Sequence, residues 1–358
     1  MGPCALIDFA ALRHNLQQAR NAAPHSRVIA VIKADAYGHG MLRAARALAS
    51  ADAFAVARVE EGVMLRRAGV ETPLLVLGGF FDFAELRSAA EYRLQLAIHR
   101  IGQLERLEQA RMPQPVECWL KIDSGMHRLG FPITMATDVF RRLEKCRAVA
   151  SPVRLMTHLA NADDLEDSSS LRQLESFLPL AGELGAEISI ANSAGTLGWP
   201  DARGDWIRPG IMLYGSSPFL NGRAKDHELK PVMTLQSRLM AVNHYPKGAP
   251  VGYGGTWHCP EAMPVGVVAI GYGDGYPRHA PTGTPVLVNG RRAPLVGRVS
   301  MDMIGVDLRS QPQAQVGDPV VLWGRGLPAE EIAEAADTIS YQLFCGIGSR
   351  VTFVEQDN

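Results

Sequence analysis

Short apolar runs alternate with longer amphipathic stretches over the first two thirds of the chain. The runs are Arg27–Ile32, Ala53–Ala57, Leu74–Leu77, Leu94–Ile98, Val116–Ile122, Val153–Thr157, Ile188–Ala191 and Trp206–Arg208, the last leading into Pro209–Gly215. They read as continuous apolar strands, the pattern of a parallel sheet buried on both faces. Between them, Ala44–Leu48 is alanine-rich, and Val59–Ala68 and Leu171–Leu184 repeat apolar residues at helical spacing. Eight such units in about 210 residues fit a closed (β/α)8 barrel, whose usual lower size is about 200. An open doubly wound sheet is the competitor, but it rarely needs eight units.

The pattern changes after about residue 222. Asn221-Gly222-Arg223 and the polar stretch to Lys230 read as a linker. Strand-like runs follow at Val232–Val242, Pro264–Ile270, Pro285–Val288, Pro294–Val299, Met303–Leu308 and Pro319–Trp323, with turn signals such as Asn289-Gly290 and Gly317-Asp318 among them. One helix is predicted near Pro328–Ala336. The expectation is an α/β chain: a TIM-like barrel over 1–222, then a smaller, mainly antiparallel β domain over 223–358.

Composition narrows the chemistry. At 358 residues the chain exceeds one ordinary domain of roughly 150 residues. Its 47% hydrophobic and 20% charged content is that of a soluble globular protein. A formal net charge of −1 argues against nucleic acid or an anionic membrane as partner, and for a small molecule. Five cysteines without CxxC spacing predict neither a disulfide framework nor a zinc site, and no metal is expected. Asp8, Arg13 and His14 stand where a signal peptide needs an apolar run, which points to the cytoplasm.

In such a barrel, residues just past the strands converge on one face. Lys33 follows the first strand. An apolar approach buries its stem and desolvates its ammonium, which lowers a lysine pKa and makes the amine a nucleophile for an aldehyde. By position alone, an ordinary strand-end lysine is the more frequent case. Ser193 and Gly210-Ile211 follow the seventh and eighth strands, where barrels bind phosphate and glycine lets amides approach an anion. The run from Asn192 also reads as a helix cap. A lysine opposite a phosphate cradle is the arrangement that pyridoxal 5′-phosphate (PLP) requires.

VIKADAYGHG at Val31–Gly40 resembles the PLP-lysine signature of the alanine racemase family. LKIDSGMHRLGF at Leu120–Phe131, THLANAD at Thr157–Asp163, NSAG at Asn192–Gly195 and RPGIMLYG at Arg208–Gly215 extend the resemblance. VGYG at Val251–Gly254, GYGDGYPR at Gly271–Arg278 and GRVSMDM at Gly297–Met303 carry it through the second part.

The resemblance implies a racemase that interconverts L- and D-alanine with two bases, Lys33, which holds PLP, and Tyr253. Tyr37, Ser193 and the Gly210 and Ile211 amides correspond to phosphate ligands, with Asn192 beside them. Arg208 corresponds to the group facing the pyridine nitrogen, and Arg128 to the one near the phenolic oxygen and the substrate carboxylate. His158 corresponds to a link between Arg208 and Tyr253. Lys121 matches a position carbamylated in many members, where it orients Arg128. Tyr272, Met301 and Asp302 correspond to substrate-site residues. The resemblance further implies a head-to-tail homodimer in which Tyr253, Tyr272, Arg278, Met301 and Asp302 serve the partner's barrel.

The match weakens near Ser349–Phe353, where many members close on a segment bearing a phosphate-binding tyrosine. Ser349 or the main chain is expected to replace it. GGTW after Tyr253 also departs from the commoner sequence. A broader-specificity amino-acid racemase and a PLP-dependent decarboxylase of the same architecture stay open as alternatives. So do supply of D-alanine for peptidoglycan and its catabolism. GYGDG at Gly271–Gly275 precedes Pro277 and no helix, so it is not a dinucleotide loop. His39 and His99 lack partners at ligand spacing.

Overall fold

The eight apolar runs close into one barrel. In the computed structural model, which describes residues 2–357, its strands are Arg27–Val31, Ala53–Val56, Leu74–Val76, Leu94–Ile98, Val116–Asp123, Val149–Met156, Ile188–Ser189 and Trp206–Ile207. All neighbours pair in parallel, and the first and eighth strands join through Arg27–Trp206 and Val28–Ile207 to complete the ring. Ala53–Val56, Leu74–Val76 and Leu94–Ile98 are buried at every position. Such strands have helices on one side and the barrel interior on the other, which is why they carry no alternation. Helix Ile133–Lys145 shows the complementary pattern, burying Ala136, Val139, Phe140 and Leu143 at helical spacing.

The second part is an eight-stranded, mainly antiparallel sheet. Its clearest sequence-readable element is the hairpin Pro285–Val288/Arg291–Val296, in which Val288 pairs with Arg291. Asn289 and Gly290 both take positive φ, 49° and 76°, as a two-residue primed turn requires. Several elements escape the sequence reading. Cys4–Asp8 pairs antiparallel with Met233–Tyr245 and parallel with Thr352–Gln356, so the chain's first strand lies in the second sheet. The closing strand Thr352–Gln356, the helix Ser340–Cys345 and the strand pair Pro250–Val251/Trp257–His258 are others.

Two buried polar side chains tie the units together. Asn15, in helix Phe9–Ala22, donates to the carbonyls of Leu213 and Lys230 and accepts from the Lys230 amide. Glu330 accepts from the amides of Ser217 and Ala224, at 2.8 and 3.1 Å. The polar stretch after residue 222 is therefore clamped at both ends. Among the described residues no helix is long and apolar enough to cross a membrane.

His39 is fully buried. Its Nδ1 donates to the carbonyls of Ala36 and Tyr37, and its ring packs on Tyr214 and Phe344. Burial lowers its pKa to about 4 from the ordinary value of 6.5. The folded pKa lies below the unfolded one, so below pH 6.5 the unfolded state binds a proton that the folded state refuses. Stability then falls as pH falls from 6.5 to 4, by on the order of 3 kcal/mol. Denaturant unfolding at pH 6.5 and 4.5 tests this: His39→Gln, which keeps a donor but does not titrate, is expected to show a clearly shallower loss.

Candidate active site

A cavity of about 890 Å³ opens at the C-terminal ends of the barrel strands. Lys33, Tyr37, Lys121, Arg128, His158, Asn192, Ser193, Arg208, Gly210 and Ile211, all singled out in the sequence, line it. They come from the first, fifth, sixth, seventh and eighth strands or the loops after them, so closing the barrel is what brings them together.

Lys33 starts an unusual turn. Ala34, Asp35, Ala36 and Tyr37 all have φ between 50° and 54°, a left-handed turn built from L residues. Each such residue costs about 1–2 kcal/mol, so the surroundings must hold the turn in place. Asp35 accepts from the Met41 amide at 2.6 Å, Gly40 donates to the Asp35 carbonyl, and the Tyr37 ring stacks on Tyr214 at 4.7 Å. Burial lowers the Lys33 pKa and the neighbouring Arg128 lowers it further, while Glu61 opposes them. Lys33 is thus a weakened ammonium whose neutral amine is within reach.

Part of the cavity wall is made of donors. Ser193 Oγ accepts from the amides of Gly210 and Met212, at 2.8 and 3.3 Å, which leaves its own proton to donate. Tyr37 and Tyr341 lie together, ring centroids 5.8 Å apart, and burial raises both phenol pKa values well above the ordinary value. They stay protonated and donate. A Cβ on Gly210 would stand 2.4 Å from the Tyr37 hydroxyl, so glycine is needed there. Tyr341 corrects the expectation for the chain's end. Ser349 is exposed and does not line the cavity, whereas the helix Ser340–Cys345 inserts Tyr341 into it. Neither Ser349 nor its neighbours take that place; the tyrosine that lies beside Tyr37 stands upstream, on that helix.

Cations dominate the floor. Arg208 is buried without a carboxylate, donating to Ser189 Oγ, to the carbonyls of Thr157 and Ile190 and, at 3.4 Å, to His158 Nδ1. Burial lowers its pKa to about 10, which still leaves it charged at neutral pH. A guanidinium only donates, so His158 Nδ1 must be the acceptor and Nε2 carries the proton. Burial and Arg208 together hold the His158 pKa well below the ordinary value, so the ring is neutral. Lys121 is buried, and desolvation, Arg208 and Arg128 bring its pKa to about 8. Asp123 accepts from the amides of Gly125 and His127, both at 3.0 Å, and so holds the loop that carries Arg128. Asn192 caps its helix through the Gly195 amide at 2.8 Å.

The remaining site candidates stand elsewhere. Tyr253 is 71% exposed, and with Tyr272, Met301 and Asp302 it lies on the second sheet's loops, outside this cavity. Their loops are zipped together: the Tyr272 amide donates to Ser300 O and the Gly273 amide to Met301 O. Asp302 pairs with Arg350 at 2.8 Å. Within one chain Lys33 and Tyr253 do not meet. Gly271–Gly275 is a short turn closed by Asp274, and His99 bonds the Gly78 carbonyl. Sequence reasoning missed Tyr341, Cys345 and Glu61; the first two line the cavity, and all three act from elements it left unassigned or read as plain helix. Among the described residues no group of three or more His, Cys, Asp or Glu is placed to hold a metal.

Hydroxyl donors, buried cations and a weakened lysine in one cavity suit an anionic, aldehyde-bearing cofactor. The model of the alanine racemase N-terminal domain matches residues 7–218, and that of the C-terminal domain matches 232–355. An alanine racemase of Nitrosococcus oceani is 56% identical over 98% of both chains, and one of Halorhodospira halophila 53% over 97% of this chain and 96% of its own. The crystal structure of the biosynthetic alanine racemase of Pseudomonas aeruginosa superposes with a TM-score of 0.95 at 43% identity, covering 99% of both chains. With both domain models matched in order and full-length relatives above half identity, this chain belongs to the alanine racemase family of isomerases.

Proposed function

We propose that this chain interconverts L- and D-alanine with PLP bound in the barrel cavity, Lys33 and Tyr253 serving as the two bases. The carrying observation is a weakened lysine that shares one cavity with protonated donors and with Arg128, Arg208 and Lys121. Tyr37, Tyr341 and Ser193 would hold the phosphate, Arg208 would face the pyridine nitrogen, and Lys33 would bind the aldehyde carbon. When bound, PLP holds the amino acid covalently and withdraws electrons so that the α-proton can leave.

Inversion needs a proton to leave one face and another to arrive on the opposite face, hence two groups. Lys33 Nζ takes or returns the proton on one side. Tyr253 Oη does so on the other, each restoring the other's starting state. A phenol has a pKa of about 10 and needs help to act as a base. His158, neutral and bonded to the charged Arg208, would supply that help through its Nε2 proton. Because Tyr253 is exposed and lies outside the cavity that holds Lys33, it would enter from a partner copy, giving a homodimer with two composite sites. Tyr272 and Met301 would come with it and crowd the substrate side chain, which favours alanine. The reading carries with it a cytoplasmic enzyme that supplies D-alanine for peptidoglycan or catabolises it.

Purified protein supplied with PLP and L-alanine is expected to form D-alanine, and far less product from L-serine, L-lysine or L-arginine. No racemisation, or release of carbon dioxide, would contradict the reading.

Lys121, with a pKa of about 8 and no carboxylate bonded to it, presents a neutral amine fraction near neutral pH that can add carbon dioxide. The carbamate would give Arg128 an anionic partner within the cavity. Protein equilibrated with ¹³C-bicarbonate is expected to show one carbamate resonance that disappears in Lys121→Ala. Its absence from the parent protein would refute the modification.

A further inference from the structure

The left-handed turn after Lys33 is tied internally from Ala36 onward, but its first amide points outward. Ala36 donates to Ile32 O and Gly40 to Asp35 O, both at 2.9 Å, whereas the Ala34 amide donates to Glu61 Oε1 at 2.9 Å. Glu61 stands in the first turn of helix Val59–Arg67, past the second barrel strand. Its other oxygen accepts from the amides of Ala57 and Arg58, at 2.6 and 3.2 Å. An acidic residue reaching back to Arg58 is an ordinary helix-capping contact. The bonds to Ala57 and across to Ala34 are not. They join the ends of two strands that pair through Val31 and Ala55.

Charge points the same way. Arg128 and Arg208 press on the Lys33 ammonium, and Lys121 and the neutral His158 stand across the same cavity. Cys345 lies beside Lys33 and raises its pKa less than Glu61 does, while burial raises the thiol's own. Glu61 is the carboxylate acting on Lys33 from the other side.

We propose that Glu61 is a positioning residue for Lys33: its carboxylate clamps the Ala34 amide to the end of the second strand and holds the strained turn from which Lys33 enters the cavity. The inference deepens the proposed function and rests on Lys33 being the residue that takes PLP. Each bond of the clamp is local, but together they hold the start of the left-handed turn, next to Lys33.

The test compares the parent chain with Glu61→Gln, Glu61→Ala and Lys33→Ala, each freed of cofactor. Acetylation of Lys33 against pH, followed by mass spectrometry with the other lysines as internal references, reports its titration. Removing the anion is expected to move the Lys33 midpoint downward in both Glu61 variants. PLP uptake, followed by absorbance at a pH where the amine is neutral in every variant, is expected to slow about tenfold in Glu61→Ala and less in Glu61→Gln, which keeps an acceptor. With alanine, kcat falls while KM holds, because no substrate contact is removed. Lower thermal stability with an unchanged midpoint and uptake rate would overturn the proposal and leave Glu61 a helix cap. If Glu61→Ala does not fold, Glu61→Gln carries the same readouts. Equal PLP uptake by Lys33→Ala and the parent would instead refute the role of Lys33, and the midpoint would still decide the clamp.

Discussion

Lys33→Ala is expected to lose D-alanine formation by about four orders of magnitude or more, because one substitution removes both the covalent anchor and one base. The fold should survive it. The amine is desolvated and pressed by Arg128, so its removal takes away an unfavourable charge rather than a packing contact. Circular dichroism and the melting temperature should match or slightly exceed those of the parent. Lys33→Arg is expected to be equally inactive, since a guanidinium keeps its proton and does not attack an aldehyde. An activity loss of less than about tenfold would be incompatible with general base and anchor residing in this side chain.

Tyr253→Phe is expected to lower racemisation by about 10²–10⁴-fold. It deletes one oxygen from a ring that is 71% exposed in the isolated chain, so its effect on folding should stay within about 0.5 kcal/mol. The distinguishing readout is isotopic. With Lys33 intact, one enantiomer of alanine in D2O is expected to exchange its α-proton without inverting, and the other to exchange slowly. Equal loss of exchange from both enantiomers would mean that Tyr253 does not serve a single face.

What was legible in the sequence follows from where each signal resides. The barrel strands are buried on both faces, so their apolar runs announce themselves, as in Leu74–Val76 and Leu94–Ile98. Asn289-Gly290 is legible because its turn demands positive φ at both positions. Cys4–Asp8 is not, since a five-residue strand carries little pattern and its partners lie at Met233 and Thr352. The turn at Ala34–Tyr37 runs against the propensity of its own residues and owes its form to contacts from other elements. Glu61 looks like a first-turn acid of an amphipathic helix until barrel closure sets Ala34 beside it. Tyr341 likewise requires the helix Ser340–Cys345 to be folded against Tyr37. The chemistry at strand ends could be read in one dimension; the residues that support it could not.

The claim on which the rest depends is that Lys33 of one chain works with Tyr253 of another. Lys33→Ala and Tyr253→Phe proteins, each inactive alone, can be dissociated, mixed in equal amounts and reassembled. In a two-fold dimer, half of the assemblies are then mixed, and each holds one intact site and one site lacking both groups. The account predicts recovery to about a quarter of the parent's activity, following the fraction of mixed dimers. Mixed dimers that form but stay as inactive as either parent variant would contradict it.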